Sequence, residues 1–177
     1  MRTVLASRCS LEPQLVAHAS EMFAVLSDPA IYEFENAPPV SEAWLRERFA
    51  KLETRTSQNG EEHWLNWVVR LPSGALAGYT QASVEKTGIA YIAYELESKY
   101  WRQGLGSCAV NAMLVELASE YGVHTFLAVL KARNFRSIAL LKHLGFSDTT
   151  ATKGAEVGAE PDELVMHKTR GSVANAA

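Results

Sequence analysis

The chain has 177 residues, 47% hydrophobic and 21% charged, which is enough length and apolar content to bury a core without disulfides or a metal. Its 17 Lys and Arg against 20 Asp and Glu leave a formal charge of -3, which argues against a nucleic acid or an anionic membrane surface as the main partner. Cys9 and Cys108 stand at no metal-ligand spacing, and no run nears the ~18–20 apolar residues of a membrane span, so a metal centre and a spanning helix are not expected.

Residues 2–9 read as a short strand. Pro13 suits the first turn of a helix, and Leu15, Ala19, Met22 and Leu26 follow at helical spacing until Asp28-Pro29 ends it. The segment from Glu33 to Val40, with Pro38-Pro39, is irregular. Ser41 then caps a second helix whose apolar stripe is Leu45, Phe49 and Leu52, and a polar loop runs from Thr54 to Glu62. Leu65, Trp67, Val69 and Leu71 alternate with Trp64, Asn66, Val68 and Arg70, the period of a strand. Turns at Pro72-Ser73-Gly74 and Lys86-Thr87-Gly88 separate it from strands over 75–85 and 89–96, which predicts an antiparallel meander. A helix follows over 104–121 and ends at Gly122. After it come an apolar strand over 125–130, a helix over 134–144 closed by Gly145, and two strands over 146–150 and 164–167. Strand, helix, strand from 89 to 130 predicts a parallel pair. The fold class is α/β, with a mixed sheet carrying helices on its faces. Residues 1–170 are read as one domain and 171–177 as a flexible tail. Residues 1–10 carry no signal-peptide core, so the cytoplasm is the expected compartment.

The stretch Tyr94 to Ser107 is the informative one. A strand ends, a short loop follows, and Gly104 and Gly106 open a helix. Helix starts carry unpaired N–H groups and the positive end of the macrodipole, and glycine lets a phosphate approach. A diphosphate could therefore rest on the amides of Gln103 to Ser107. Alone, a G-x-G at a helix start is more often only a tight turn. It is not a P-loop, and the acidic residue of a dinucleotide site is missing, since the next strand ends Leu130-Lys131-Ala132.

Downstream, Asn134-Phe135-Arg136-Ser137 opens a helix that ends Leu144-Gly145-Phe146. Together with Trp101-Arg102-Gln103-Gly104-Leu105-Gly106, this resembles the GNAT superfamily of acyl-CoA N-acyltransferases. The Tyr100-Trp101 pair before the glycines is similar to the branch containing ribosomal-protein N-terminal acetyltransferases. The resemblance covers about residues 60–170 and implies a mostly antiparallel sheet of about seven strands, with one splayed parallel pair and about four helices. It implies acetyl-CoA as cosubstrate and a primary amine as acceptor, either a protein N-terminus or a small molecule, attacked directly in a ternary complex. A monomer or a homodimer is compatible with it.

The same resemblance assigns cofactor binding to Leu96, Trp101, Arg102, Gln103, Gly104, Leu105, Gly106, Ser107, Asn134 and Ser137. The Leu96 backbone amide would face the thioester oxygen. The tyrosine that serves many relatives as acid, seven residues after the Asn, is here Leu141. Ser137 is the substitute donor, against a plain role in the first helical turn; Asn134 equally suits a helix cap. The family's usual glutamate positions look like Ala90 and Val129, so Glu95 is the candidate base, with Tyr94 a second polar candidate and Glu97 solvated. Glu33 and Glu35 suit a cationic amine or a solvated loop. One of Trp64 and Trp67 is core and the other a candidate for the acceptor cleft. His18, His63, His124, His143 and His167 are dispersed and read as structural. The missing tyrosine keeps a catalytically silent acyl-CoA sensor or subunit open as the alternative.

Overall fold

The computed structural model describes residues 1–149 and 158–170. The expected tail at 171–177 and most of the 151–161 loop lie outside the described residues. The described chain forms β1 (Val4–Leu5), β2 (Ser10–Pro13), α1 (Ala19–Leu26), α2 (Glu42–Glu53), β3 (Glu62–Arg70), β4 (Leu76–Glu85), β5 (Ile89–Leu96), α3 (Leu105–Glu120), β6 (Thr125–Lys131), α4 (Phe135–His143), β7 (Ser147–Asp148) and β8 (Glu163–Thr169). These strands make one eight-stranded sheet in the order β1-β2-β3-β4-β5-β6-β8-β7, with β5 and β6 the parallel pair.

The strand expected over 2–9 is instead a hairpin arm. The chain reverses at Ser7-Arg8, where the Ala6 amide donates to the Cys9 carbonyl at 2.9 Å, and β2 runs back beside β1. Pro13 ends β2 opposite Trp67 rather than opening a helix, and α1 begins one short turn later. The reason is tertiary: Leu11 pairs with Val69 and is 0% exposed, so the sheet claims this segment. A proline at a strand end sacrifices no ladder hydrogen bond that the sheet needs. This hairpin accounts for the eighth strand.

The meander is as expected, with β3, β4 and β5 antiparallel in turn. The Ser41 hydroxyl caps α2 by accepting the Trp44 amide at 3.1 Å, and Asn134 caps α4 by accepting the Ser137 amide at 3.1 Å. Strand alternation divides the core in two. Leu65, Trp67 and Val69 pack with Val110, Met113 and Leu117 of α3 and Leu141 of α4, while Val68 and Leu76 pack with Met22 of α1 and Leu45 and Phe49 of α2. Among the described residues no helix is long and apolar enough to cross a membrane.

Two irregularities open the sheet where the site lies. The β3–β4 register shifts at Val69/Arg70, leaving Ala77 as an extra residue, and such a bulge raises local twist. The β5–β6 pairing lasts only through Ile89↔Thr125, Ala90↔Phe126 and Tyr91↔Leu127. Beyond it β5 stays with β4 as far as Leu96↔Gly78, and β6 stays with β8 as far as Lys131↔Glu163. The parallel pair therefore diverges towards Tyr94–Leu96.

Candidate active site

A cavity of about 400 Å³ lies between the start of α3, the start of α4 and the end of β5. Leu96, Trp101, Arg102, Gly104, Gly106, Ser107, Asn134 and Ser137 all border it, so most of the residues expected to hold the cofactor come together. Two do not contribute side chains. Gln103 is exposed and donates to the Lys99 carbonyl at 2.7 Å, and Leu105 is 5% exposed within the core.

The two glycines do different work. Gly104 caps α3 at φ 76°, a conformation side chains disfavour. Gly106 allows close packing: a Cβ there would stand 2.8 Å from Leu140 Cδ1 of α4 and 3.4 Å from Leu96 Cδ1 of β5. A Cβ at Gly104 would lie 3.7 Å from Nε of Arg8. Arg8, at the tip of the β1–β2 hairpin, thus stands beside the helix start, a cation that sequence reading missed. No motif marks it; only the long-range pairing of β2 with β3 brings it there.

A second cavity of about 360 Å³ lies on the opposite face of the sheet, under α2, with Tyr32, Trp44, Arg48, Tyr79 and Gln81 in its wall. The tryptophan here is Trp44. Trp67 is core as expected at 0% exposed, but Trp64 borders neither cavity and donates its indole N–H to Glu62 at 3.0 Å. Glu35, Tyr94 and Glu95 border both cavities. The two hollows therefore share a wall where β5 parts from β6.

Alternation sends Tyr94 and Glu95 to opposite faces. Tyr94 turns to α4, where its hydroxyl donates to the Ser137 carbonyl at 3.4 Å. Burial pushes this phenol up to about 12, partly offset by a hydrogen bond with the Ser137 side chain. Asn134 caps α4 and also borders the cavity. Glu95 turns to α2, paired in register with Tyr79. Desolvation raises its carboxyl above the usual range; hydrogen bonds from Tyr79 and Asn36 and the charge of Arg48 oppose this, and the charge of Glu35 adds to it. Leu141 is 1% exposed in the core, so that position offers no acid. Glu97 pairs with Lys99 at 2.7 Å. His124 bridges Thr125 and the Thr87 carbonyl, each at 3.0 Å, a structural role.

The sequence matches the acetyltransferase (GNAT) domain family over residues 8–147. The chain belongs to the GNAT acetyltransferase family. It is thus an acetyl-CoA-dependent acetyltransferase by family, as the sequence resemblance implied. No curated protein matches it significantly. Among solved structures this GNAT chain is similar to RimL, a ribosomal alpha-N-protein acetyltransferase in complex with coenzyme A, at 17% identity and TM-score 0.80 over 95% of this chain and 98% of that one. It is also similar to the ribosomal-protein-S5-alanine acetyltransferase of Vibrio fischeri, at 16% identity and TM-score 0.76 over 97% and 98% of the two chains. A third likeness is to the microcin self-immunity acetyltransferase MccE in complex with acetyl-CoA and AMP, at 18% identity and TM-score 0.76 over 92% and 93%. At these identities the structural likenesses establish the fold.

Proposed function

We propose that the protein transfers the acetyl group of acetyl-CoA to a primary amine by direct attack, with the cosubstrate in the first cavity and the amine entering through the second. The observation that carries this reading is that two cavities, on opposite faces of the sheet, share Glu35, Tyr94 and Glu95 in their walls. A thioester reaching that junction from one side would be open to a nucleophile from the other, and holding both reactants there removes much of the entropy of encounter.

The diphosphate rests on the amides at the start of α3, and Arg8 and Arg102 supply positive charge beside it. Towards β5, the Glu95 carbonyl points at Gly78 on β4. Strand alternation then turns the Leu96 amide to the side where β6 has departed, an oxyanion donor for the thioester. Glu95 takes a proton from the arriving ammonium, and the neutral nitrogen attacks the thioester carbon. The tetrahedral oxyanion forms against the Leu96 N–H. The C–S bond then breaks as the nitrogen gives up its second proton to solvent, and the departing thiolate is met by the Ser137 hydroxyl as a hydrogen-bond donor and takes its own proton from solvent. Tyr94, with its pKa raised to about 12, stays neutral at neutral pH, and its hydroxyl, donating to the Ser137 carbonyl, holds the start of α4 beside the junction. These groups at the junction favour turnover over a silent sensor.

Two measurements test the cosubstrate half. Acetyl-CoA should raise the melting temperature and NAD should not; the reverse would end the acyl-CoA reading. Arg8→Gln should weaken acetyl-CoA about three- to fivefold and flatten the salt dependence of its Kd, the scale of one partly solvated charge pair. Thiol release over a panel of amines tests the acceptor half: release with none of them favours the sensor.

A further inference from the structure

The loop between α1 and α2 carries two glutamates that the structure separates. Glu33 is exposed and faces α4, where Arg136 Nη2 donates to its Oε2 at 2.5 Å. The Arg136 guanidinium also packs over the rings of Trp101 at 4.4 Å, Phe34 at 4.7 Å and Phe135 at 5.3 Å. Phe34 meets Phe135 edge to face at 5.7 Å, and Arg133 donates to the Phe34 carbonyl at 3.2 Å. Residues 33 and 34 are thus fastened to α4 and to the turn before it, through side chain and backbone together. A solvated loop would need none of this.

The fastening turns the next residue inward. Glu35 is half-buried, accepts a hydrogen bond from Asn134 and shares both cavities with Glu95. Among the described residues, the cations facing this pair are already engaged or exposed. Glu35 faces Asn134 at the cap of α4, Lys131 of β6, Glu163 of β8 and Asp162 before it. Lys131 is already held by Glu160 at 2.7 Å, Asp162 at 2.9 Å and Glu163 at 3.3 Å. Glu95 faces Tyr79 of β4, Asn36 of the loop and Arg48 of α2, and Arg48 is exposed. Two carboxylates that repel one another across a shared opening are relieved by one compact cation with N–H groups for both.

We propose that Glu35 is a second carboxylate of the acceptor site, positioned by Arg136, and that with Glu95 it receives the acceptor as a primary ammonium. The proposal rests on the reading that the amine enters through the second cavity. Glu35 binds and Glu95 deprotonates; Arg136 acts only through the loop.

The test needs no knowledge of the natural acceptor. Propylammonium is titrated into protein carrying carbon-13 at the glutamate side-chain carboxyls, with the N,N,N-trimethyl analogue and propionate as controls. Propylammonium should shift the Glu35 and Glu95 signals and the controls should not. Glu35→Gln, nearly isosteric, should weaken propylammonium about tenfold, the scale of one charge-assisted hydrogen bond, and lower the pH at which Glu95 titrates. Arg136→Gln should weaken it too, with Glu35 still present. Equal binding of the trimethyl analogue, or an unmoved Glu95 titration in Glu35→Gln, overturns the proposal. Failure of acetyl-CoA to bind the wild-type protein would instead sink the enzyme reading and leave this titration untouched.

Discussion

Gly78→Ala is expected to lower stability by about 3–5 kcal/mol, combining strained backbone with overpacking that no rotamer can relieve. Gly78 sits in β4 at φ 151°, and a Cβ there would stand 2.0 Å from the Glu95 carbonyl oxygen and 2.8 Å from Leu96 Cα. Both are backbone atoms of the neighbouring strand, so relief requires β4 and β5 to move apart. β5 carries the proposed oxyanion donor, Leu96, and the proposed base, Glu95, so the damage reaches the site directly. For a chain of this length the loss corresponds to a fall in Tm of about 10 °C. Gly60→Ala is the control. Gly60 also has positive φ, 71°, but a Cβ there meets nothing within 4 Å. It should lose only about 1 kcal/mol, the conformational share. Equal losses in the two variants would mean that close approach at Gly78 is not what fixes it.

Gly78 illustrates what could and could not be read before the structure. Its glycine is plain in the sequence, but its reason is a carbonyl 17 residues later, visible only once β4 and β5 are in register. Local signals gave local elements. The alternation through Trp64–Leu71, the turn residues at 72–74 and 86–88, the Ser41 and Asn134 caps and the glycines opening α3 each depend on a few adjacent residues, and each was legible. Pro13 misled because proline suits both a helix start and a strand end, and the pairing of Leu11 with Val69 decides between them. Trp64 misled for a related reason: alternation gives a face, not a position along it, and α2 brings Trp44 to the second cavity instead. Arg8 and Glu35 sit in segments without periodicity; Arg8 went unmarked, and Glu35 could be named only together with Glu33. Their relevance comes from chain packed 96 and 99 residues away, at Gly104 and Asn134, and no spacing rule encodes that.

Glu95→Gln should lower kcat by about 10²- to 10³-fold while leaving the acetyl-CoA Kd near its wild-type value, the usual worth of a positioned base. Gln keeps the shape and the hydrogen bonding to Tyr79 but cannot accept a proton. Its pH dependence follows from the direction of the shift. Burial first, and Glu35 after it, hold the Glu95 carboxyl above the ordinary range, so the base ionises at higher pH than a solvated glutamate. Wild-type kcat should therefore rise with pH through that raised value, and this acid limb should be missing in Glu95→Gln. In Glu35→Gln the limb should move to lower pH, because a repelling charge is gone. Stability should move the other way from activity. A carboxyl whose pKa is raised by folding stabilises the folded state when protonated and opposes it once ionised. Glu95→Gln should accordingly melt no lower than wild type at pH 8, with the difference shrinking as the pH falls through the raised pKa. A variant that loses both rate and melting temperature at pH 8 would assign Glu95 to holding the sheet together and not to the proton transfer.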